Sequence, residues 1–338
     1  APLPVVGETE QIKILEDAKR RVRLSGSSLP SVCFHTFFNT REALCSVDLS
    51  RDASAMCAGF ADSGVRMWDL KKVGGARDAG GDGEKGTAER GTPMTGHSAA
   101  VYGTSLSPDN KFVLSASGDS TVRLWDVASG ENLVTYRGHN FPVWDCAMSP
   151  LGHYFATASH DRTVRLWSTE SVYPLRLMAG HLSDVDCVTF HPNCNYVASG
   201  SLDRTCRLWD VTQGDCVRLF KGHTAPITSV AVSPCGKMLA TGSDAGELMV
   251  WDIGTSQCIH ELKGHTGAVY SVDFSRGDSR LLASGGQDGV IRLWEVGTGA
   301  SGKETSLPTR QATVHRVKFS RTNLLLAAGS YQAQEKDK

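Results

Sequence analysis

The feature that most constrains this chain is a pattern that returns every 42 residues. Gly-His pairs mark it, and their histidines are spaced by 42 residues throughout: His97, His139, His181, His223 and His265. Tryptophans keep the same spacing, apart from a last step of 43 residues: Trp125, Trp167, Trp209, Trp251 and Trp294. A fixed interval of this length indicates an array of similar structural units that pack against one another, not one irregular core.

Each repeat has the pattern of short strands separated by turns. Residues 122–125 (Val-Arg-Leu-Trp) recur as residues 164–167 and, with Cys in place of Val, as residues 206–209. Apolar and polar residues alternate there, as in a β-strand whose two faces differ. Turn residues such as those at 107–110 and 149–152 separate the segments. Repeats of about 40–45 residues with Gly-His and Trp-Asp marks are typical of four-stranded WD-repeat propeller blades.

The two ends of the chain together supply a seventh unit. Trp68 begins the series of six tryptophan units, and two further strand segments follow Trp294, at 314–320 and 324–329. Near the other end, residues 22–24 (Val-Arg-Leu) match the start of the third strand of a repeat, so we predict strands c and d of a blade within 21–38. The expected fold is all-β: a seven-bladed WD-repeat β-propeller over residues 21–330, whose last blade is closed by strands from both chain ends. Closure of this kind removes exposed sheet edges.

Three segments fall outside the regular repeat. Trp68 and Trp125 are 57 residues apart, and the excess lies in residues 71–95, which are rich in glycine and charge. Such a composition predicts a mobile insertion loop. Residues 1–20 are interpreted as a linker with a short helix over 8–20, and residues 331–338 as a C-terminal tail.

Composition excludes several classes of function. Thirty-five Lys and Arg residues balance 36 Asp and Glu residues, which argues against binding to nucleic acid through phosphates. No run of 18 apolar residues predicts a membrane span. The ten cysteines form no C-x-x-C pair and no zinc spacing, so we expect buried free thiols in a reducing compartment, and no metal or cofactor.

Several repeats combine Ser, His and Asp, as a catalytic triad would. Because near-copies recur at the repeat spacing, an architectural role is the better interpretation: a hydrogen-bond chain from a turn Asp through His and Ser to the indole N–H of the Trp. In the repeat of Trp251, Ala245 replaces this Asp, so a weaker chain is expected there. No nucleotide-binding or hydrolase motif is present, and we predict no catalytic residues. The predicted structural residues are His97, Ser115, Asp119, Trp125, His139, Asp161, Trp167, His181, Asp203, Trp209, His265, Asp288 and Trp294.

One rim of the predicted ring, formed by the loops before strand a and between strands b and c, is the expected place for partner binding. Trp144 is the one tryptophan outside the repeat spacing. It is either an interface anchor or a side chain packed into its own blade. The predicted partner-binding residues are Phe141, Trp144, His160, Arg162, Asp184, Asp186 and Arg204.

Particular segments narrow the family. They are residues 32–39 (Val-Cys-Phe-His-Thr-Phe-Phe-Asn), 138–145 (Gly-His-Asn-Phe-Pro-Val-Trp-Asp), 159–162, 173–176, 179–187, 190–193 and 323–329. Over about residues 10–330, the chain closely resembles the WD-repeat TBP-associated factor, the propeller subunit of transcription factor TFIID and, in many species, of the SAGA coactivator. The chain departs from the pattern in a short glycine-rich insertion, in Ala245 and in Glu295, where many repeats have Asp.

The resemblance implies a non-catalytic scaffold in the nucleus. The propeller of that family docks histone-fold TBP-associated factors and other TFIID or SAGA subunits, and a dimerisation region that precedes it in the family is not found in this sequence. The segments do not separate the TFIID form from a SAGA-specific paralogue. The alternative is a generic WD-repeat adaptor, such as a ubiquitin-ligase substrate receptor or a histone-peptide reader.

Overall fold

The fold is a ring of seven β-sheets. The computed structural model describes residues 16–17, 19–22, 24, 29–38, 43–70, 91–297, 304–309 and 312–331. In these residues there are six four-stranded antiparallel sheets and one three-stranded sheet. The predicted seven-bladed β-propeller is therefore confirmed. The predicted N-terminal helix is described only at residues 16–17 and 19–20, which are helical.

Strands are numbered along the chain, and the blades are numbered from the first complete sheet. Blade 1 consists of β2 Leu44–Leu49, β3 Ala55–Phe60, β4 Val65–Asp69 and β5 Thr92–Met94. Blade 2 consists of β6 Val101–Leu106, β7 Phe112–Ser117, β8 Thr121–Asp126 and β9 Asn132–Arg137. Blade 3 consists of β10 Val143–Met148, β11 Tyr154–Ser159, β12 Thr163–Ser168 and β13 Arg176–Ala179.

The remaining blades follow the same plan until the last. Blade 4 consists of β14 Val185–Phe190, β15 Tyr196–Ser201, β16 Thr205–Asp210 and β17 Cys216–Lys221. Blade 5 consists of β18 Ile227–Val232, β19 Met238–Ser243, β20 Glu247–Asp252 and β21 Cys258–Lys263. Blade 6 consists of β22 Val269–Phe274, β23 Leu281–Gly286, β24 Val290–Glu295 and β25 Glu304–Pro308. Blade 7 consists of β26 Thr313–Phe319, β27 Leu325–Tyr331 and β1 Val32–Phe38.

Burial follows from the position of each strand in its blade. The second strand, b, is packed between neighbouring blades on both faces, and in β11 the five residues from Phe155 to Ser159 are all buried. The third strand, c, alternates, so that Val164 and Leu166 are buried and Arg165 is only partly covered. This alternation is the one seen in the sequence, and it places the hydrophobic core between adjacent blades.

The innermost strands, a, line a central channel of about 760 Å³. Side chains of one strand a accept hydrogen bonds from backbone amides of the next one around the ring. The Asp48 carboxylate accepts from the Leu106 amide at 2.9 Å, and Asp145 accepts from Val188 at 2.9 Å. Asp48 also accepts from Lys318 Nζ at 2.8 Å, which ties blade 1 to blade 7 through a buried ion pair. These bonds hold neighbouring blades in register.

Blade 7 is closed by both chain ends, but not by the two strands c and d that the sequence predicts. In the described residues its sheet has three strands in the order β1-β27-β26, and β1 runs parallel to β27. Val22 and Leu24 are outside any strand. Leu24 is instead buried in the core between blades 6 and 7. The prediction of strand c at residues 22–24 is therefore wrong.

The direction of β1 has a topological cause. Strand a of blade 1 starts at the same rim at which every strand b and every strand d ends. The segment that leads into β2 must therefore run in the direction of a strand d. Because the described blade has no strand c between them, β1 pairs directly with strand b, and the pairing is parallel.

Two other expectations are corrected in part. Residues 92–94, which the sequence pattern places in the insertion loop, form β5, and Met94 is fully buried. Residues 71–90 and the predicted tail after Tyr331 lie outside the described residues. All ten cysteines are free. Only five of them are buried: Cys33 and Cys45 are partly exposed, and Cys216, Cys235 and Cys258 lie at exposed positions on an outermost strand or a turn.

Candidate functional site

Blade 3 contains a complete hydrogen-bond chain of the predicted kind. His139 Nδ1 is 2.6 Å from the Asp161 carboxylate, and His139 Nε2 is 2.7 Å from the Thr157 hydroxyl. The Trp167 indole N–H donates to the same hydroxyl at 3.0 Å. Because the carboxylate only accepts, Nδ1 carries a proton, and burial lowers the pKa of His139, which favours a ring with no proton on Nε2 that accepts from the Thr157 hydroxyl. The histidine is therefore neutral and fixed in one tautomer.

Three other blades have the same chain. In blade 2, His97 is 2.9 Å from Asp119 and 2.7 Å from Ser115, which accepts from Trp125 at 2.7 Å. In blade 4, His181 is 2.9 Å from Asp203 and 2.8 Å from Ser199, which accepts from Trp209 at 2.8 Å. In blade 6, His265 is 2.9 Å from Asp288 and 2.8 Å from Ser284, which accepts from Trp294 at 2.8 Å.

The chains are unsuited to nucleophilic catalysis. Each hydroxyl lies in the core of its blade, is fully buried and is engaged by both the histidine and the tryptophan. A substrate cannot reach an oxygen in that position. Sequence reasoning named Ser115 alone among these hydroxyls, although the signal for Thr157, Ser199 and Ser284 was available: each lies ten residues before its tryptophan.

Blade 5 departs from the other blades at the expected place. With Ala245 at the turn, the buried His223 Nδ1 has no hydrogen-bond partner among the described residues, and the carboxylate of Glu247 is 4.0 Å away. Burial, only partly offset by Glu247, lowers the pKa of His223 to about 4. His223 Nε2 still bonds the Thr241 hydroxyl at 2.6 Å. The hydrogen-bond chain of blade 5 is therefore complete from His223 to Trp251, but it lacks the Asp acceptor at the turn.

Restoring that acceptor is expected to stabilise the ring. In the double variant Ala245→Asp/Glu247→Thr, blade 5 acquires the Asp and Thr that blade 3 has at Asp161 and Thr163. Supplying a partner to the orphaned His223 Nδ1 is expected to add about 1 kcal/mol to the free energy of unfolding. Urea denaturation of the variant and the parent measures this. Unchanged or reduced stability would show that the orphaned nitrogen has no cost.

The predicted rim residues on blades 3 and 4 are brought together in part. Phe141 is half exposed, and its ring centroid is 5.5 Å from that of His160. His160 donates a hydrogen bond to Asp184 of the next blade and lies 6.4 Å from the ring of Trp144. Trp144 lines the mouth of the central channel, so it is not packed into the core of its blade. We call the end of the ring that carries these residues the upper face.

The other predicted rim residues differ among themselves. Arg162 and Arg204 are exposed on the turns between strands b and c, and their φ angles are positive, 66° for Arg162 and 64° for Arg204. Neither one makes a side-chain hydrogen bond or ion pair with the described residues. Asp186 lines the mouth of the channel, at the position in blade 4 that Trp144 occupies in blade 3. Burial and the carboxylates of Asp184, Asp145 and Asp244 raise the pKa of Asp186 to about 7.

Sequence reasoning missed three apolar residues of the upper face. Leu182 is 78% exposed, and Leu202 and Tyr102 are 39% and 38% exposed. Leu182 occupies the position directly after a Gly-His pair, where the other repeats have Ser, Asn or Thr. That irregularity was a usable signal. Tyr102 packs edge-on against Trp144 with ring centroids 4.8 Å apart.

Two classes of site have no support in the described residues. No group of three or more His, Cys, Asp or Glu side chains within them could hold a metal ion. In the same part of the chain, no helix has the length and apolar character needed to span a bilayer.

A closed ring of seven blades, six of them four-stranded in the described residues, with repeated Asp–His–Ser/Thr–Trp hydrogen-bond chains, defines a WD-repeat β-propeller. The sequence model described as "WD domain, G-beta repeat" matches residues 89–126, 130–168, 172–210, 214–252 and 256–295. These matches cover more than half of the chain, and the chain belongs to the WD40-repeat family.

Curated relatives point to one branch of that family. The chain is 46% identical over 144 residues to "Transcription initiation factor TFIID subunit 5" of Arabidopsis thaliana, a match covering 40% of this chain and 22% of the relative. It is 46% identical, with 40% and 21% coverage, to "SAGA complex/transcription factor TFIID complex subunit Taf5" of Schizosaccharomyces pombe. A mouse relative, "TAF5-like RNA polymerase II p300/CBP-associated factor-associated factor 65 kDa subunit 5L", is 39% identical with 40% and 26% coverage. The matched region thus spans about a quarter or less of each relative.

Proposed function

We propose that this propeller is a non-catalytic scaffold of a TFIID- or SAGA-type complex in RNA polymerase II transcription initiation. The observation that carries the proposal is the match to relatives whose names place them in these two complexes. A nuclear location is part of the proposal, because transcription initiation takes place there. The alternative of a generic WD-repeat adaptor is less favoured, since none of these relatives is named as one.

The upper face supplies the surface that such a role requires. Phe141, Leu182 and Leu202 present exposed apolar side chains there, and Arg162 and Arg204 are exposed on turns of the same face. An apolar centre inside a polar rim is the usual anatomy of a protein interface. We propose that histone-fold TBP-associated factors dock on this face.

Co-purification tests the role. We expect the intact chain to retain histone-fold TBP-associated factors from nuclear extract, and no cullin adaptor. Capture of a cullin adaptor without histone-fold subunits would favour the substrate-receptor alternative. Selective binding to modified histone peptides alone would favour the reader.

A double variant tests the location of the interface. Phe141→Ala/Trp144→Ala is expected to weaken partner binding about tenfold or more, since truncated aromatic anchors carry much of the energy of an interface. The ring is expected to stay folded, because neither side chain belongs to a core between blades. Binding is measured by titration against a purified histone-fold pair, and folding by thermal melting.

The matched control lies on another side of blade 3. Tyr173, in the loop before the outermost strand, is 75% exposed, and Leu177, on that strand, is 55% exposed. Tyr173→Ala/Leu177→Ala is expected to leave the affinity unchanged. If this control loses affinity and the Phe141/Trp144 variant does not, the interface is on the outer edge and the proposed placement is wrong.

A further inference from the structure

The upper mouth of the channel is lined by one residue from each innermost strand. This residue is the second of the strand, or in blade 7 the third, and in each blade it sits at a β-bulge. The bulge turns its side chain out of the regular alternation. In ring order the residues are Cys45, Tyr102, Trp144, Asp186, Thr228, Tyr270 and His315, all of which line the channel.

The chemistry around the mouth is divided into sectors. Blades 2 and 3 supply the edge-packed pair Tyr102–Trp144. Blades 6 and 7 supply Tyr270 and His315, whose rings stack at 5.8 Å with 7° between their planes. Between the two aromatic sectors, the wall belongs to Asp186 and Thr228. The mouth therefore has aromatic walls on two sides and a carboxylate between them.

Asp186 has no counter-ion in the described part of the chain. Its side chain makes no hydrogen bond and no ion pair there, in contrast to Asp48 lower in the channel, which pairs with Lys318 and Arg316. The neighbouring charges that act on Asp186 are the carboxylates of Asp184, Asp145 and Asp244, and together with burial they raise its pKa to about 7. A partly buried carboxylate among other carboxylates gains most from an incoming cation.

The second unsatisfied group at the mouth is a hydrogen-bond donor, the indole N–H of Trp144, whereas Asp186 is an acceptor. The Trp144 Nε1 atom is buried, yet no described residue offers it an acceptor. Buried indole N–H groups normally have a partner. The mouth thus lacks one cationic donor and one neutral acceptor, and an extended peptide provides both, from a basic side chain and from a backbone carbonyl.

We propose that the upper mouth of the channel receives a lysine or arginine side chain from an extended segment of a partner protein, with Asp186 as its counter-ion. The rings of Trp144 and Tyr102 flank the cation, as aromatic rings do in cation–π contacts. A rotation of the indole uncovers the buried Trp144 Nε1, which then donates to a carbonyl of the same segment. This proposal deepens the proposed function, on which it rests for the identity of the partner, and it adds the chemistry that the partner must present.

The first test uses the intact chain with Asp186→Asn, which keeps the shape and removes the charge. Binding of a purified histone-fold pair is expected to weaken about tenfold or more, since one member of a partly buried charge pair is lost. The melting temperature is expected to stay the same or rise, because no internal partner is lost. Asp215→Asn is the matched control, since Asp215 is exposed on a turn after a third strand and its side chain bonds none of the described residues. A fall in melting temperature that accounts for the binding loss, or unchanged binding, would overturn the proposal.

The second test separates this inference from the proposed function. Tiled 15-residue peptides of the histone-fold subunits are titrated against the chain, each in parallel with a copy in which citrulline and norleucine replace arginine and lysine. Asp186-dependent binding of the unmodified peptides only is the expected result. If the histone-fold pair binds but charge-free peptides bind equally well, the inference fails and the proposed function stands. If the pair does not bind while basic peptides do so through Asp186, the proposed function fails and the inference about the mouth stands.

Trp144→Phe probes the indole N–H by itself. This substitution keeps an aromatic wall and removes the donor. The affinity for the peptide is expected to fall about three- to tenfold, as for loss of one hydrogen bond. An unchanged affinity would exclude the predicted bond from Trp144 to a peptide carbonyl.

Discussion

A chain that lacks residues 1–38 is expected to lose the cooperative unfolding of the ring. The deletion removes β1 and the buried Leu24, and with them the seven-residue pairing to β27. Phe34 packs into the core between blades 6 and 7, and Phe37 into the core between blades 7 and 1, where its ring is 5.3 Å from that of Trp68. A large apolar side chain contributes about 1.5–3 kcal/mol when fully buried, as Leu24 nearly is, and less when partly buried, as Phe34 and Phe37 are. Together with the lost strand pairing, this is a large part of the net stability of a domain, about 5–15 kcal/mol.

Differential scanning calorimetry measures this effect. The shortened chain is expected to show a broad transition or none, and to expose sheet edges that promote aggregation. Deletion of residues 1–15 is the control, since it keeps every contact described above, and its melting temperature is expected to match that of the parent. A sharp transition at the parental temperature for the longer deletion would show that blade 7 does not close the ring.

Asp161→Asn is expected to lower the free energy of unfolding by about 1–3 kcal/mol, because it replaces a charge-assisted hydrogen bond to His139 with a neutral one. The same carboxylate also accepts from the Thr163 hydroxyl and amide at 2.6 and 3.0 Å. Asp244→Asn is the internal comparison. Asp244 is exposed and does not contact His223, so its substitution is expected to cost less than about 0.5 kcal/mol. Equal losses for the two variants in urea denaturation would contradict the role assigned to Asp161.

The effect of Asp161 is expected to depend on pH. Burial raises the pKa of Asp161, but hydrogen bonds from His139 and Thr163 outweigh it and bring the pKa from the ordinary 3.8 to about 2. A carboxylate with a lowered pKa in the folded state contributes stability above its unfolded pKa, and this contribution is lost as the pH falls. The difference between parent and Asp161→Asn is therefore expected to be full at pH 5 and to shrink as the pH decreases from about 4 to 2.

The regular part of the fold was predictable from the sequence because the same local signals recur in every repeat. The spacing of the histidines and tryptophans, and the alternation within strand c, each reflect a position fixed by the blade. The course of the N-terminal segment was not predictable in this way. Residues 22–24 resemble a strand c, but nothing local sets the direction of the segment, which is fixed by the rim at which β2 begins.

The candidate interface was predictable in composition and less so in arrangement. Trp144 is identified by its place outside the repeat spacing, and Phe141 and His160 by their place in the loops of one rim; the three do lie close together. The assignment of Asp186 to the rim loops missed its place at the mouth of the channel, because the β-bulge that turns it inward leaves no mark on the sequence. Tyr102 also lies at such a β-bulge. It was missed because an aromatic residue near the start of an inner strand does not stand out from core residues.

The parallel pairing of β1 with β27 also sets how the closed ring resists force. The start of β1 and the end of β27 lie at opposite faces of the disc, so tension applied to the two ends pulls the strands lengthwise in opposite directions. The ladder of backbone hydrogen bonds from Val32 to Phe38 is then loaded in shear and breaks together, whereas an antiparallel strand in the same place would be peeled open one bond at a time. Blade 7 is therefore expected to resist tension between the two chain ends through this parallel pairing.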